Sequence, residues 1–405
     1  MISYNERNPA HGPAGGALTN QFLAMRAQIP ALRKVTYLNS GWSGPSPQRV
    51  VDRVVDYLRW EAEEGPTSPH VLARAFSLNN EIRLGVAAAF NAEPDEIVVT
   101  ANTTEGINHV LNGLPWVAGD EVLAYNFEHS SVLIPLYQLR DQRGIKLNRV
   151  ALATTDSPDE IVAKFEAAMT DNTRLLALSH ISYSTGLRLP LERIVAMAKA
   201  HDAQVLVDGA QTAGQLALDL PATGADYYAF TGHKWMLGPE GAGALYVRRE
   251  RLERLRPTAV SVYAAESYDY DGRFVPKTGS PAKFALTTIK PAIFNGFLEA
   301  LAVYREVGPA AIEARARALG LDLRARLAAI PGVTFVSPER EDTACGLVCF
   351  QVAGQTPSEV VQRVWERRRI VVRAVDFPKV IRAACHYFNT EDDLAALADE
   401  IAAIA

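Results

Sequence analysis

The chain has 405 residues, a length that points to two domains, and its 48% hydrophobic and 21% charged residues are ordinary for a globular protein. The net charge of −5 is spread without long blocks of one sign, so no basic stripe is offered to nucleic acid or to an anionic membrane. No apolar run approaches the ~18 residues of a membrane span, no signal-peptide core opens the chain, and three cysteines build no disulfide framework, which fits a reducing, cytoplasmic compartment.

Residues 1–30 read as an N-terminal arm, whose first 20 residues, polar and Gly/Pro-rich, are loose and able to order against a partner. From about residue 80 to 250 the pattern alternates. "EIVVT" at 96–100 is a strand, "TTEGINHVLNGL" a helix and "EVLAY" at 121–125 a strand. "SSVLIPLYQLRDQRG" is a helix closing at Gly144, "KLNRVAL" a strand, "DEIVAKFEAAM" an amphipathic helix and "RLLALSH" a buried strand. The helix "LERIVAMAKAHD" then leads to the strands "QVLVDGA", "YYAFTG" and "GALYVRR". Strands separated by helices of this length predict βαβ units, a mostly parallel sheet and an α/β fold, with ligands at the carboxyl ends of the strands. We take 31–290 as the large domain and 291–405 as a smaller α+β domain. The latter opens with an Ala/Leu/Arg-rich helical stretch at 295–329. The β-rich runs "GVTFV", "GLVCFQV", "IVVRAV" and "VIRAACHYF" follow, and a C-terminal amphipathic helix closes the chain.

The polar residues of interest all follow strands. Thr103, Thr104 and Gly106 sit at a strand-to-helix turn, where a helix N-terminus with two hydroxyls forms a phosphate seat. His129 follows the next strand, Asp208 ends "QVLVD" with Gln211 three residues on, and the next strand delivers Thr231, His233 and Lys234. A lysine amine, a carboxylate, an amide, an imidazole and an anion seat together suit pyridoxal 5′-phosphate. That cofactor needs a lysine for covalent attachment and a carboxylate at its pyridine nitrogen. Each residue taken singly has a plainer reading. Asp208 suits the cap of the next turn, Thr103 and Thr104 suit helix caps, and His129 suits a helix start. Arg382 suits a structural ion pair, and Cys385 a small buried hydrophobe. Cys345 and Cys349 are not spaced as a metal pair, and no metal site is expected.

"TTEGIN", "EH", "VDGAQ", "TGHK" and "GPEGAGALY", in that order, resemble the class V aminotransferase family of fold type I pyridoxal-phosphate enzymes over roughly residues 35–400. The resemblance implies that Lys234 holds the cofactor covalently, Asp208 pairs with the pyridine nitrogen and Gln211 approaches the phenolic oxygen. It implies that His129 stacks on the ring and that Thr103, Thr104, Thr231 and His233 bind the phosphate. It also implies a homodimer whose second subunit completes the phosphate site. The segment "FALTTIKP" departs from the family's Gly/Thr pattern there, and Thr287 or Thr288 is the candidate.

Arg373 and Arg382 stand nine residues apart, each in a β-rich run, and guanidinium binds carboxylate through paired hydrogen bonds. Cysteine desulfurases carry a mobile loop with a catalytic cysteine between the matching positions; here the link is only "AVDFPKVI". "DYYAFTGHKW" and "IRAACHY" are similar to the cysteine/cystine C–S lyase branch. Tyr183, where desulfurases tend to have Asn, favours the same branch. His180 and Tyr183 are either wall packing or substrate contacts. The segment 261–272, "SVYAAESYDYDG", lacks the Gly-Trp of the lyase substrate loop. The resemblance therefore implies β-elimination on a small amino-acid substrate, cystine or a cysteine S-conjugate. A thiol or persulfide would be released with pyruvate and ammonia. The alternatives within the family are decarboxylating aldehyde formation on a cysteine S-conjugate in natural-product biosynthesis, epimerisation and transamination.

Overall fold

A computed structural model describes residues 13–405. Seven strands form the central sheet: β1 (Ile97–Thr100), β2 (Glu121–Tyr125), β3 (Lys146–Val150), β4 (Thr173–Ser179), β5 (Gln204–Asp208), β6 (Tyr227–Thr231) and β7 (Gly243–Val247). Their order is β1-β7-β6-β5-β4-β2-β3, and only β7 runs against the rest. This is the expected α/β architecture. β2, β6 and β7 are buried along their whole length, as strands covered on both faces must be.

Successive residues of each strand serve opposite helical layers, because Cβ direction alternates along a strand. Leu175, Ala177, Leu206 and Ala229 pack under α4 (Thr103–Gly113) and α5 (Ser130–Arg143). Leu176, Leu178, Val205, Val207 and Phe230 pack under the opposite layer. That layer is built from α1 (Pro13–Ala27), α2 (Gln48–Glu64), α3 (Pro69–Phe90), α6 (Pro158–Ala168), α7 (Leu191–Ala200) and α8 (Pro291–Val307).

The helical stretch expected at 295–329 is two helices, α8 and α9 (Pro309–Ala328), with Gly308 at φ +93 between them. Phe294, Phe297, Leu301 and Tyr304 of α8 sit in the large core. By packing, we propose that the small unit begins at α9 and that α8 belongs to the large one. The small sheet has β8 (Val333–Phe335), β9 (Leu347–Val352), β10 (Arg373–Asp376) and β11 (Lys379–Ala384) in the antiparallel order β8-β9-β11-β10. One face packs on α9, α10 (Pro357–Arg368) and α11 (Glu391–Ala402). The expected strand "IVVRAV" is split. Ile370–Val371 pairs in parallel with Thr36–Tyr37, and the rest is β10.

The loose N-terminal arm needs correction from residue 13 on; residues 1–12 lie outside the described residues. α1 is a helix whose Phe22 and Met25 join the large core. Arg26 grips Asp393 at the start of α11 with two bonds of 2.8 and 3.1 Å, a geometry that matches its planar fork.

Candidate functional site

All of the sequence candidates except Gly106, His180, Thr287 and Thr288 line one of two adjoining cavities at the carboxyl ends of the sheet strands. The inner cavity, about 260 Å³, is walled by Asn102, Thr103, Thr104, Ser131, Asp208 and Thr231. The outer, about 230 Å³, is walled by Gly41, Trp42, Arg373 and Arg382. His129, Tyr183, Gln211, His233 and Lys234 face both.

Backbone register brings the inner set together. Ser179, Asp208 and Ala229 are neighbours across three parallel strands. Asp208 is buried, and its Oδ1 accepts the Ala210 N–H (2.9 Å), so the turn-cap reading is correct as far as one oxygen goes. Among the described residues its second oxygen has no partner. Gly209 follows because a Cβ there would lie 2.1 Å from the Tyr228 ring. His180 is wall packing: its Nδ1 bonds the Tyr228 hydroxyl (3.0 Å) behind the site, and burial pulls the ring down to about 3.

The loop after β6 is pinned by Gly232 N–H to Ala242 O (2.8 Å), Gly238 N–H to Gly232 O (2.8 Å) and Gly44 N–H to His233 O (2.7 Å). These bonds hold Lys234 half-buried in the cleft. Burial pulls its ammonium down to about 8, against the pull of Asp208, and the Arg382 and Arg373 charges push the same way as burial.

The expected anion seat is the N-terminus of α4. Asn102 caps it by accepting the Glu105 N–H (2.9 Å). Thr104 Oγ1 bonds Ser131 Oγ (2.8 Å), and Thr231 Oγ1 shares a hydrogen bond with His233 Nδ1 (2.7 Å). Thr103 Oγ1 is buried with no partner among the described residues. An orphaned hydroxyl on the first turn of a helix is explained by an anion that accepts from it. Gly106 does not serve the seat through conformational freedom. A Cβ there would lie 2.9 Å from Ala229 Cβ, so it lets α4 approach the sheet.

His129 takes the plainer of its two readings, a helix start. It caps α5, with Nδ1 accepting the Ser131 N–H (3.1 Å), so the ring nitrogen that carries the proton is Nε2. Its ring also stands edge-on to Tyr183, centroids 4.7 Å apart, at the cavity wall. Burial lowers its pKa, Asp208 opposes this, and the nearby cations favour the neutral ring.

Arg382 and Arg373 are directly opposed across β11 and β10 and share the face that looks at the large unit. Arg382 is only 2% exposed; it donates to Tyr183 O (2.9 Å) and Asn39 Oδ1 (3.4 Å), and its Nε is orphaned. Burial lowers its pKa to about 10. Arg373 lies over the Trp42 ring. Neither has an acid partner among the described residues, which removes the structural ion-pair reading. The link between them is a tight hairpin through Phe377–Pro378. Cys345, Cys349 and Cys385 are free and buried, and burial pushes all three thiols up.

Thr288 is elsewhere. It is exposed at φ +58 and lines a separate apolar cavity with Phe76, Tyr263 and Leu286. Segment 261–272 forms part of an exposed hairpin, Ala265–Tyr268 with Phe274–Pro276, and lines neither site cavity of its own chain. Sequence reasoning missed Ser131, Asn102 and Trp42. Ser131 was legible as the hydroxyl two residues past His129 in "EHSS", and Trp42 as an aromatic in the turn-rich "NSGWSGPSP".

A sequence profile described as Aminotransferase class-V matches residues 36–397. The chain belongs to the class-V aminotransferase family. Its cofactor is pyridoxal 5′-phosphate, and the orphaned Thr103 hydroxyl, the α4 N-terminus, the buried Asp208 and the amine of Lys234 fit that group. The chain is 31% identical over 396 residues to a probable cysteine desulfurase of Methanothermobacter thermautotrophicus, covering 94% of this chain and 97% of the relative. It is also 31% identical over 380 residues to an isopenicillin N epimerase of Streptomyces clavuligerus, covering 91% and 95%. Among solved structures it matches the cystine C–S lyase C-DES in complex with its product cysteine persulfide. The TM-score is 0.87 at 31% identity, covering 93% of this chain and 99% of that one. A C-DES mutant with glycine covalently linked to its PLP cofactor gives the same TM-score, 0.87. No helix among the described residues is long and apolar enough to cross a membrane.

Proposed function

We propose that this protein cleaves the C–S bond of cystine or a cysteine S-conjugate by β-elimination, releasing a thiol or persulfide with pyruvate and ammonia. One observation carries the reading. A lysine amine and two acid-free guanidiniums share a cleft in which no thiol is exposed among the described residues. A reaction that passes sulfur to a protein cysteine has no group here to receive it, whereas elimination needs none.

Bound in the inner cavity, pyridoxal phosphate supplies the electron sink for the pair left by the Cα–H bond. Thr103, Thr104, Thr231, His233 and the α4 N-terminus would hold its phosphate. Asp208 would keep its pyridine nitrogen protonated, Gln211 would meet its phenolic oxygen and His129 would flank the ring. Arg382, with Arg373 beside it, grips the substrate carboxylate and fixes which Cα bond faces Lys234. Lys234, whose amine is neutral over much of the range above its depressed pKa of about 8, takes the Cα proton. The C–S electron pair leaves with sulfur, and water completes the release of pyruvate and ammonia.

Exposed Thr288, the apolar cavity beside it and the exposed aromatics of the 261–276 hairpin support a homodimer in which this region meets the second copy. Three reduced cysteines support a reducing, cytoplasmic setting. Epimerisation is the second reading, favoured by the isopenicillin N epimerase relative. Product analysis on cysteine, cystine and bulky cysteine S-conjugates decides. Pyruvate with ammonia is expected. An inverted amino acid, a keto acid of the intact side chain, or an aldehyde with carbon dioxide overturns the elimination.

A further inference from the structure

Lys234 is followed by Trp235, a large side chain only 1% exposed and packed where the two units meet, against Ile181, Leu216, Cys345, Leu347 and Ala384. A buried indole has one polar atom to satisfy, the donor Nε1–H. Here it donates to Gln211 Oε1 (2.9 Å), inside the wall of the cofactor cavity. The other end of the same amide, Gln211 Nε2, donates to Gly41 O (2.9 Å). Both neighbours are of one kind only, a pure donor and a pure acceptor. Turning the amide over would set N–H against N–H and O against O, and both bonds would be lost.

We propose that Trp235 is a positioning residue that fixes the sense of the Gln211 amide, so that its remaining N–H, not its C=O, faces the cleft beside Lys234. Gly41 O holds only the nitrogen end of the amide, and the donor that fixes the oxygen end is the clamped indole. Gly346 stands so close that an added Cβ would be 3.2 Å from Trp235 Cη2. Trp235 O accepts from His386 Nε2 (2.7 Å), whose Nδ1 is already taken by the Tyr387 N–H (2.7 Å). Gln215 adds a second tie, donating to Gln211 O (2.6 Å) while accepting the Gly346 N–H (2.7 Å). The packing of the small unit, which carries Arg382, therefore sets the orientation of a side chain in the cofactor cavity.

The consequence rests on the cofactor reading above. Pyridoxal phosphate bears a phenolate oxygen beside the carbon that lysine takes, and an N–H donor there draws charge from that oxygen. The lysine nitrogen next to it then holds its proton less tightly. In the holoenzyme, Trp235→Phe keeps an aromatic ring but frees the amide to turn. It should raise the pH midpoint of the visible absorption band by about one unit. Gln211→Ala should shift it alike, and the double variant should shift no further than Gln211→Ala alone. An unshifted Trp235→Phe band, or a shift that adds to that of Gln211→Ala, overturns the proposal. The link is also read without cofactor. In the apoprotein, the Trp235 indole N–H should exchange with deuterium at least about tenfold faster after Gln211→Ala, and an unchanged rate overturns it. A wild type that takes up no pyridoxal phosphate would sink the cofactor reading while leaving the exchange test standing.

Discussion

The inner and outer cavities share a wall but are built on different principles. The inner one is assembled from strand ends of one sheet, and its side chains are tied to one another: Thr104 to Ser131, Thr231 to His233, Asp208 to the Ala210 N–H. The outer one is assembled from segments far apart in the chain, and its two guanidiniums face each other with no acid between them among the described residues. Like charges in direct cross-strand opposition destabilise a sheet, so the outer cavity tolerates in its apo form what an anionic ligand would relieve. The inner region is preorganised for a resident group. The outer has no such ties between its two guanidiniums.

The sharpest way to break this contrast is Lys234→Ala, which removes the group standing between the cavities. Turnover should fall by about 10³-fold, with loss of the covalent cofactor band in an absorption spectrum; a variant that kept both would remove Lys234 from the chemistry. Next, Arg382→Met should lower kcat/KM by about 100-fold, mainly through KM, and Arg373→Met by about 10-fold, since Arg373 is less buried and less held. Equal effects would mean that the two arginines act as one clamp.

The apoprotein itself should be acid-labile, through groups behind the cavities. His386 is fully buried, with its pKa lowered to about 4 from 6.5. A group depressed in the folded state binds its proton more readily when unfolded. Its contribution is complete above pH 6.5 and lost as pH falls toward 4, on the order of 3 kcal/mol. Urea titrations across that window test this, and a flat profile in the wild type would contradict it. His386→Gln should remove its share of that dependence, with buried His180, lowered to about 3, keeping the rest.

Thr103→Val separates ligand from scaffold. Cofactor affinity should drop about tenfold by equilibrium dialysis while apo stability holds or rises, because an orphaned buried hydroxyl costs stability. A loss of apo stability would show that Thr103 serves the helix instead. The smallest effect is expected from Cys349→Ala and Cys385→Ala. Assayed with cystine, kcat should stay within about twofold of wild type, with any cost appearing in thermal stability. A loss of more than about 100-fold in either would bring a thiol into the reaction.

Much of the inner cavity was legible because its residues follow strands directly. In a parallel sheet a strand end names a place, so Thr103, His129, Asp208, Thr231 and Lys234 could be assigned to one edge from their positions in the chain. The outer cavity was half legible. Arg373 and Arg382 stood out as candidates for carboxylate binding, but nothing in "NSGWSGPSP" places Trp42 under Arg373, since that contact joins segments more than 300 residues apart. The proposed place of α8 in the large unit was hidden for a similar reason. The helical period of α8 shows that it has an apolar face, not which core that face enters.

Local pattern and strand-end position thus pointed to the fold class, the cofactor and the strand edge that carries Lys234, because those depend on neighbours a few residues away or one strand over. Tertiary structure alone decided what that lysine faces. It decided that Thr288 and the 261–276 hairpin stand outside their own chain's site, that neither arginine meets an acid among the described residues, and that Trp235 turns its indole N–H to Gln211. Each of these depends on which surfaces pack together, and packing between distant segments leaves no period in the sequence that could be read beforehand.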